Sequence, residues 1–497
     1  MSPPQQHIVV IGGSVAGLGA GLALARDGHR VTILEGDASP MPDSHVEAFE
    51  QWERRGSPQV RHSHALLGRL RNLIRDHAPE LLAKLLACGA EELRFADMAR
   101  RLFPDAALVP GDDDIVLLAC RRVTFEWVMR RHVLDTGLVD FRDGVEVTGL
   151  LAEAGTPPHV TGVRIATPGG GETRLEADLV VDASGRRSKL RAWLEAVGCE
   201  PIRQDSEPCG IFYTSRFYRL LDGIEPPALE GPIVGEDLGY MKIGLFPGDA
   251  RIFSVTIAAS PDDDALRAVV HRPAFEAAAA ALPRVAGWVD PKTAQPISDV
   301  HAMANLNDVR RFLVEDGEPR VIGFAAIGDA LIHANPITGR GCAFAWMSAF
   351  GLASAVAEHG RDGRELVLAY DATVEREVVP WYKMQVQQDR DAIAVEQAQR
   401  RGEDPFRVVG PDGRNDPKAF LRAVVREGLL PAIRSDLTVL RRFMRLVNLL
   451  DPPQDLMRDP AFFGPIIACY NTRHERESLS DAPGREDMLA VLARAAA

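Results

Sequence analysis

A chain of 497 residues is too long for one ordinary core, so two or three domains are expected. Its composition, 46% hydrophobic and 26% charged, is that of a soluble globular protein. Acids outnumber bases 70 to 57, giving a net charge of -13, and no basic cluster carries interleaved aromatics; this argues against nucleic acid as a partner, because phosphate binding needs basic patches.

Met1 to Gln6 form a short polar stretch that runs straight into a strand, so no signal peptide is expected. Residues 7–12, HIVVIG, predict a buried parallel strand. Residues 17–28, GLGAGLALARDG, predict a small-residue helix stopped by Gly28, and 30–35, RVTILE, a second strand. This is a βαβ unit, so the fold class is α/β with a doubly wound Rossmann-type sheet. Residues 62–90 look helical from the spacing of Leu66, Leu67, Leu70, Leu73 and Ile74, and 124–137 predict a helix closed by Gly137. Gly169, Gly170 and Gly171 stand between two strand-like runs and read as a hairpin turn. From about 200 to 304, aromatic and β-branched runs with Gly/Pro punctuation predict an antiparallel sheet facing a ligand. Residues 319–330 return to the buried-strand pattern, with Asp329 at the strand end. The uncharged stretch 341–357 has the length of a short membrane span, but its setting favours a helix buried inside the protein, and no transmembrane segment is expected. After 361 the chain is mostly helical. The six cysteines form no C-x-x-C pair and no zinc-spaced cluster, which suits a reducing cytoplasm and predicts no metal site.

Two Gly-rich turns carry chemistry. The first is GGSVAG, with Gly12, Gly13, Ser14, Ala16 and Gly17 as candidate contacts to a dinucleotide. Its first glycine makes the tight turn, its last lets helix and strand pack closely, and Ser14 stands where the pattern G-x-G-x-x-G has its middle glycine. The helix N-terminus that follows suits a diphosphate. Glu35 ends the second strand 18 residues after Gly17, where a carboxylate accepts hydrogen bonds from a ribose. The second turn is GDALIHANPITGRG, 328–341. There Asp329 can point at a hydroxylated chain, Pro336 fixes the loop, and Gly339 and Gly341 let backbone N–H groups approach a ligand. Two helix starts far apart in sequence suit a ligand with two ends, such as a flavin dinucleotide; an ordinary strand–turn–helix is the plain alternative. His62 and His64 flank Ser63 and serve either in proton transfer or as backbone-bonded helix-start residues. Arg61 and Arg122 suit a diphosphate or a flavin edge, or else make surface ion pairs.

These segments resemble the FAD-dependent monooxygenases built like para-hydroxybenzoate hydroxylase, over nearly the whole chain. The glycine turn, DASGRRSKLR (182–191) and GDALIHANPITGRG carry the resemblance. The branch of polyether-pathway flavin epoxidases is more similar, through SPQVRHSHALLGRL (57–70), CRRVTFEWVMRRHV (120–133), NLLDPP and APGREDMLAVLA. The resemblance implies that Arg61 and Arg122 approach FAD, that the Val147 backbone meets adenine, and that His62 and His64 lie near the flavin. It implies a Rossmann-type FAD-binding domain made of 1–70, 105–200 and 305–360, a substrate domain of 71–104 and 201–304, and a helical region of 361–497. The implied reaction is epoxidation or hydroxylation of a bulky apolar substrate with O2, through a flavin C4a-hydroperoxide. Ser14, Ser184 (for the Asp of A-D-G) and Ala343 (for Asn) depart from the pattern. The Ser184 departure leaves two electron sources open, NAD(P)H directly or a partner flavin reductase. Rival readings are a flavin reductase acting on C=C bonds and a non-catalytic FAD-binding protein. A halogenase ranks third among the catalytic readings, because no W-x-W-x-I-P segment is present. The sequence gives no oligomeric state.

Overall fold

The computed structural model describes residues 5–166, 170–228, 235–360, 362–409, 416–456, 458–476 and 481–496. In chain order, the elements that build the site are β1 (His7–Ile11), α1 (Val15–Arg26), β2 (Arg30–Glu35), α2 (Arg122–Thr136), β3 (Val139–Asp143) and β4 (Leu179–Asp182). There follow β5 (Gln204–Pro208), β6 (Phe212–Leu220), β7 (Lys242–Pro247), β8 (Ile252–Ala259), β9 (Asn307–Arg311) and β10 (Phe324–Ala326). The chain then becomes helical, with α3 (Gly341–His359), α4 (Val379–Arg400), α5 (Pro417–Ser435) and α6 (Pro460–Asn471).

The first sheet is parallel, in the order β10–β4–β1–β2–β3. Its central strands are apolar along their length because helices cover both faces. Ile8, Val9, Val10, Ile33, Val180 and Val181 are all buried. The covering helix α1 is small-residued because α3 crosses it closely: Gly19 faces the indole of Trp346, leaving no depth for a larger side chain. Helix α3 is therefore apolar on all sides. It is the one helix among the described residues that is long and apolar enough to cross a membrane, and 72% of its apolar window is buried inside the protein.

The second sheet is antiparallel, with β6, β7 and β8 at its centre and β6 pairing β8 from Phe212↔Ala259 to Arg219↔Ile252. The helices Arg272–Ala281 and Pro283–Val289 cover one face of it, and the C-terminal helix Arg485–Ala496 joins them through Met488 and Leu492. The third layer is the C-terminal set around α5 and α6.

Several expectations need correction. Residues 62–90 are not one helix: a single turn at Pro58–Arg61 precedes an extended stretch, then helices Gly68–His77 and Pro79–Ala87. Pro79 forces that break, since it cannot continue a helix from Ala78. The buried strand of 319–330 is only β10, and Asp329 sits in a single 3-10 turn, Gly328–Ala330. Within the stretch 71–104, buried apolar residues fall into two clusters. Ile74, Leu81 and Leu85 belong to the main core, and Phe95 and Ala99 to the C-terminal helices. Strands His159–Ala166 and Glu172–Glu176 pair antiparallel with Ala166 opposite Glu172; Gly170 has φ +90°, and the part of the expected hairpin turn at Gly169 lies outside the described residues.

Candidate functional site

The three motif segments meet at the C-terminal edge of the parallel sheet. Consecutive strand-end bonds join them: Gly12 N–H to the Leu34 carbonyl (2.8 Å), Ala183 N–H to Ile11 (2.8 Å) and Ile327 N–H to Asp182 (2.9 Å). Gly12 has φ +105°, and a Cβ there would come within 2.6 Å of the Ala183 oxygen. Ala16, at the start of α1, faces Gly328, which in turn faces Ala345 of α3. Residues more than 300 positions apart thus bring two helix starts side by side.

Both starts are open. Ser14 is the N-cap of α1 in an extended conformation, but its side chain makes no cap bond and no acid lies in the first turn. Arg340 stands at the N-cap of α3 with the same two features. The first-turn N–H groups and the helix dipoles of both helices are therefore available to anionic or carbonyl groups. Ahead of α3, Gly339 adopts φ +70° and Pro336 opens a single 3-10 turn, Pro336–Thr338, capped by the Asn335 side chain, which accepts from Ile337 N–H (3.2 Å). A Cβ at Gly341 would find only Asp329 Oδ1, at 3.9 Å.

The Ser14 hydroxyl is spent sideways. It donates to Glu126 Oε2 (2.9 Å) and accepts from Arg122 Nη2 (3.0 Å). Arg122 also pairs with Glu126 (2.6 Å), so it is a buried partner of the glycine turn and not a surface ion pair. Arg54 completes the network, donating to Glu126 (2.8 Å), Asp37 (2.9 Å) and Glu35 (3.0 Å). The side chains of Arg54 and Glu126 are both 0% exposed. Burial pushes the Glu126 carboxyl up, but Arg54 and Arg122 outweigh it and hold it down at about 2. Glu35 also accepts the N–H groups of Gly13 (3.1 Å) and Asp37 (2.9 Å), which fixes its carboxylate at the end of β2. Val147 starts the strand Val147–Glu153, two residues after Val145 N–H bonds the Glu35 carbonyl (2.9 Å). Arg54 had no sequence signal, because its partners lie far from it in the chain. Glu126 lay inside the quoted α2 segment.

The segment 61–64 bridges the two sheets. Arg61 donates to the Phe49 carbonyl and lies over the Phe49 ring at 5.5 Å. His62 Nδ1 is 3.2 Å from Ser215 Oγ on β6, and Ser215, Thr256 and Ser63 continue the chain at 2.9 and 2.7 Å. The His62 ring also meets Tyr213 edge-on at 5.0 Å. His64 Nδ1 lies 3.0 Å from the His62 carbonyl. Burial lowers both imidazoles, to about 3 for His62, helped by His64, and to about 4 for His64, helped by Arg122. Both rings are neutral near pH 7.

A groove of about 2380 Å³ runs between the antiparallel sheet, α4 and the C-terminal helices, with Ile211, Met241, Ile337, Met384, Leu421 and Phe463 in its wall. From the antiparallel-sheet region, Tyr240 and Met241 reach this groove, whereas Phe212, Phe217 and Phe253 do not. No metal site was expected, yet Cys209, Asp308 and Asp389 bring three ligand-type atoms within 4.8 Å of one another.

The donor set fits an extended dinucleotide. It offers two open helix starts, a glycine turn with no room for a Cβ, and a buried guanidinium on the turn's hydroxyl.

No family model matches the chain. Protein Rv3254 of Mycobacterium tuberculosis is 29% identical over 359 residues, covering 68% of this chain and 70% of that protein. Among solved structures, the flavin-dependent halogenase CmlS superposes with a TM-score of 0.57 at 18% identity, covering 99% of this chain and 77% of its own. The flavin-dependent brominase Bmp2 gives 0.54 at 18% identity, covering 94% and 100%. PqsL of Pseudomonas aeruginosa, described as a probable FAD-dependent monooxygenase, gives 0.50 at 16% identity, covering 80% and 98%. The fold is therefore the one these FAD-dependent halogenases and monooxygenases share: a Rossmann-type parallel sheet, an antiparallel sheet and C-terminal helices.

Proposed function

We propose that this protein is an FAD-dependent oxidoreductase, specifically a monooxygenase that transfers one oxygen atom of O2 to a bulky apolar substrate. The observation that carries the reading is the side-by-side placement of the α1 and α3 starts by segments beginning at Gly12, Asp182 and Asp329. FAD, when bound, supplies the redox chemistry with O2. The chain supplies the hold and the enclosure. Gly12, Gly13, Ser14, Ala16 and Gly17 cradle the diphosphate, with Arg122 beside them. Glu35 takes the adenosine ribose, and the Val147 backbone the adenine. Asp329 takes the ribityl hydroxyls. Pro336, Gly339 and Gly341 shape the loop whose N–H groups, with the α3 dipole, stabilise negative charge on the flavin edge.

His62 and His64 act as neutral ring-holding groups near the flavin, because their lowered basicity makes them poor proton acceptors at pH 7. Arg61, held by Phe49, anchors the same segment. The apolar wall of the groove supports a bulky apolar substrate. Electrons come from NAD(P)H or from a partner flavin reductase.

The test is to reduce the FAD-loaded protein and mix it with ¹⁸O2 and a panel of alkenes and activated rings. Label in an organic product supports the reading. Reduced product without label turns it to a C=C reductase, and product that appears only with added halide turns it to a halogenase.

A further inference from the structure

Beneath the loop that leads into α3 lies a buried polar cluster that the proposed function does not use. Asp308 comes from β9, Asp389 from α4, and Cys209 follows β5. Strand pairing brings the first and last together: Glu207 stands opposite Asp308 in the register, and Cys209 N–H bonds the Leu306 carbonyl (3.0 Å). Asp308 and Asp389 are both buried, with ligand-type atoms within 4.8 Å of each other.

The acids hold both ends of the loop. Asn335, its first residue, donates its backbone N–H to Asp308 Oδ1 (2.7 Å) and its side-chain amide to both oxygens of Asp389 (3.0 and 3.1 Å). Gln385, one turn before Asp389 on α4, donates to Asp389 Oδ1 (2.9 Å). Its own oxygen accepts from Thr338 (2.8 Å) and from the guanidinium of Arg340 (2.8 Å). Residues 335, 338 and 340 are thus tied to two side chains one helical turn apart.

Charge balance is the difficulty. Asp389 already accepts three N–H contacts, and Asp308 Oδ1 accepts one, but Asp308 Oδ2 is buried with no partner. The nearest cation, Arg340, is bonded to Gln385 and to the Trp381 carbonyl, not to either acid. The other titratable groups facing the pair are Cys209, whose thiol burial keeps protonated, His333, whose Nδ1 is engaged by the Asn307 carbonyl (2.7 Å), and Tyr382 on α4. Two carboxylates in such a place cannot both ionise. Burial pushes both acids up; Asp308 raises Asp389 further, whereas the hydrogen bond to Asp389 offsets part of the rise at Asp308.

We propose that Asp308 and Asp389 share one proton, carried on Asp308 Oδ2 towards Asp389, and that this pair is a latch that positions the Asn335–Arg340 loop and with it the N-terminus of α3. Both acids are positioning residues: they act on the loop through Asn335 and Gln385. Asp389, Asn335, Thr338 and Gln385 also line the groove, so its contents and the loop share one hydrogen-bonded wall. The inference rests on the proposed function only where the loop is said to meet FAD. The latch itself is a property of the protein without flavin.

The test is hydrogen exchange of the peptide covering 335–341 in the full-length protein, measured from pH 5 to pH 9 and corrected for intrinsic rates, with FAD affinity as a second readout. In the native protein, loop exchange accelerates roughly tenfold as the shared proton is lost, the scale of one charge-assisted hydrogen bond. D308N, whose amide imitates the protonated acid, keeps the loop protected and removes the pH dependence. D389A accelerates exchange at every pH. Equal pH dependence in D308N and the native protein overturns the proposal. So does a stoichiometric metal ion that is present in the native protein and lost in D308N, because the cluster is then a metal site. Failure to bind FAD with the exchange pattern intact sinks the proposed function and leaves the latch standing.

Discussion

Gly12 sits against Ala183 so closely that a single added carbon would come within 2.6 Å of the Ala183 carbonyl oxygen. The two residues belong to different motifs, and this contact packs the first glycine turn onto the end of β4. Gly17 closes the same turn from the other side, where a Cβ would run into the Gly12 carbonyl.

Substitution at Gly17 therefore acts on both fold and ligand. Gly17→Val is expected to cost roughly 2–4 kcal/mol, since neither the backbone of Gly12 nor β1 can retreat from it. Urea unfolding measures the loss, and the retained fraction of FAD measures the effect on the site. Gly28→Ala, in a turn with open space around it, is the control: it leaves FAD retention unchanged and costs only the strain of holding a Cβ at φ +88°.

Glu126 is the counter-ion of two buried guanidinium groups. Glu126→Gln leaves Arg54 and Arg122 short of charge and is expected to destabilise by roughly 3–5 kcal/mol. Its folded-state acidity is depressed, so its contribution is present above about pH 4.5 and is lost as the pH falls through about 2. Acid titration of native and Glu126→Gln proteins by circular dichroism should show the native advantage vanish across that window.

The histidines add to the same acid-side loss, at higher pH. His62 and His64 titrate at about 3 and about 4 when folded, below the ordinary 6.5. The unfolded chain takes up protons first, so stability drops as the pH falls from about 6.5 towards 4. Replacing His62 by Gln should flatten part of that slope. Imidazole NMR signals from both residues should show no titration above about pH 5.

The acid pair under the loop gives the mirror image. Burial raises both acids, and Asp308 lifts Asp389 to about 7, so the folded pair holds one shared proton that the unfolded chain releases near 3.8. Stability from this pair declines as the pH rises from about 4 to about 7 and is flat above. Asp308→Asn should remove that decline in thermal melts across the range.

The parts of this architecture that are local were legible in the sequence. β1, α1 and β2 follow one another within 35 residues, and their apolar runs and glycines specify them without distant help. The helix at 341–359 announced itself by its lack of charge. Asp329 was misplaced because the apolar run continues through Ile327; a positive φ at Gly328 turns the chain out of the strand, and periodicity does not report that. Helices 272–289 were hidden inside a region whose strands dominate the pattern. Within the site, Ser14, Glu35 and Arg122 were visible through motif position. Arg54 was not, because its role depends on Glu126, 72 residues away, and on a packing that no spacing rule encodes. The same holds for the cluster of Asp308, Asp389 and Asn335, assembled from a strand, a helix and a loop.

The most direct measurement is the flavin content of the purified protein, read from its visible absorbance and from the flavin released on denaturation. The purified protein is expected to be yellow, with about one FAD per chain, and Gly17→Val to lose the colour. A colourless protein that shows no binding heat and no visible absorbance after incubation with excess FAD would contradict this expectation.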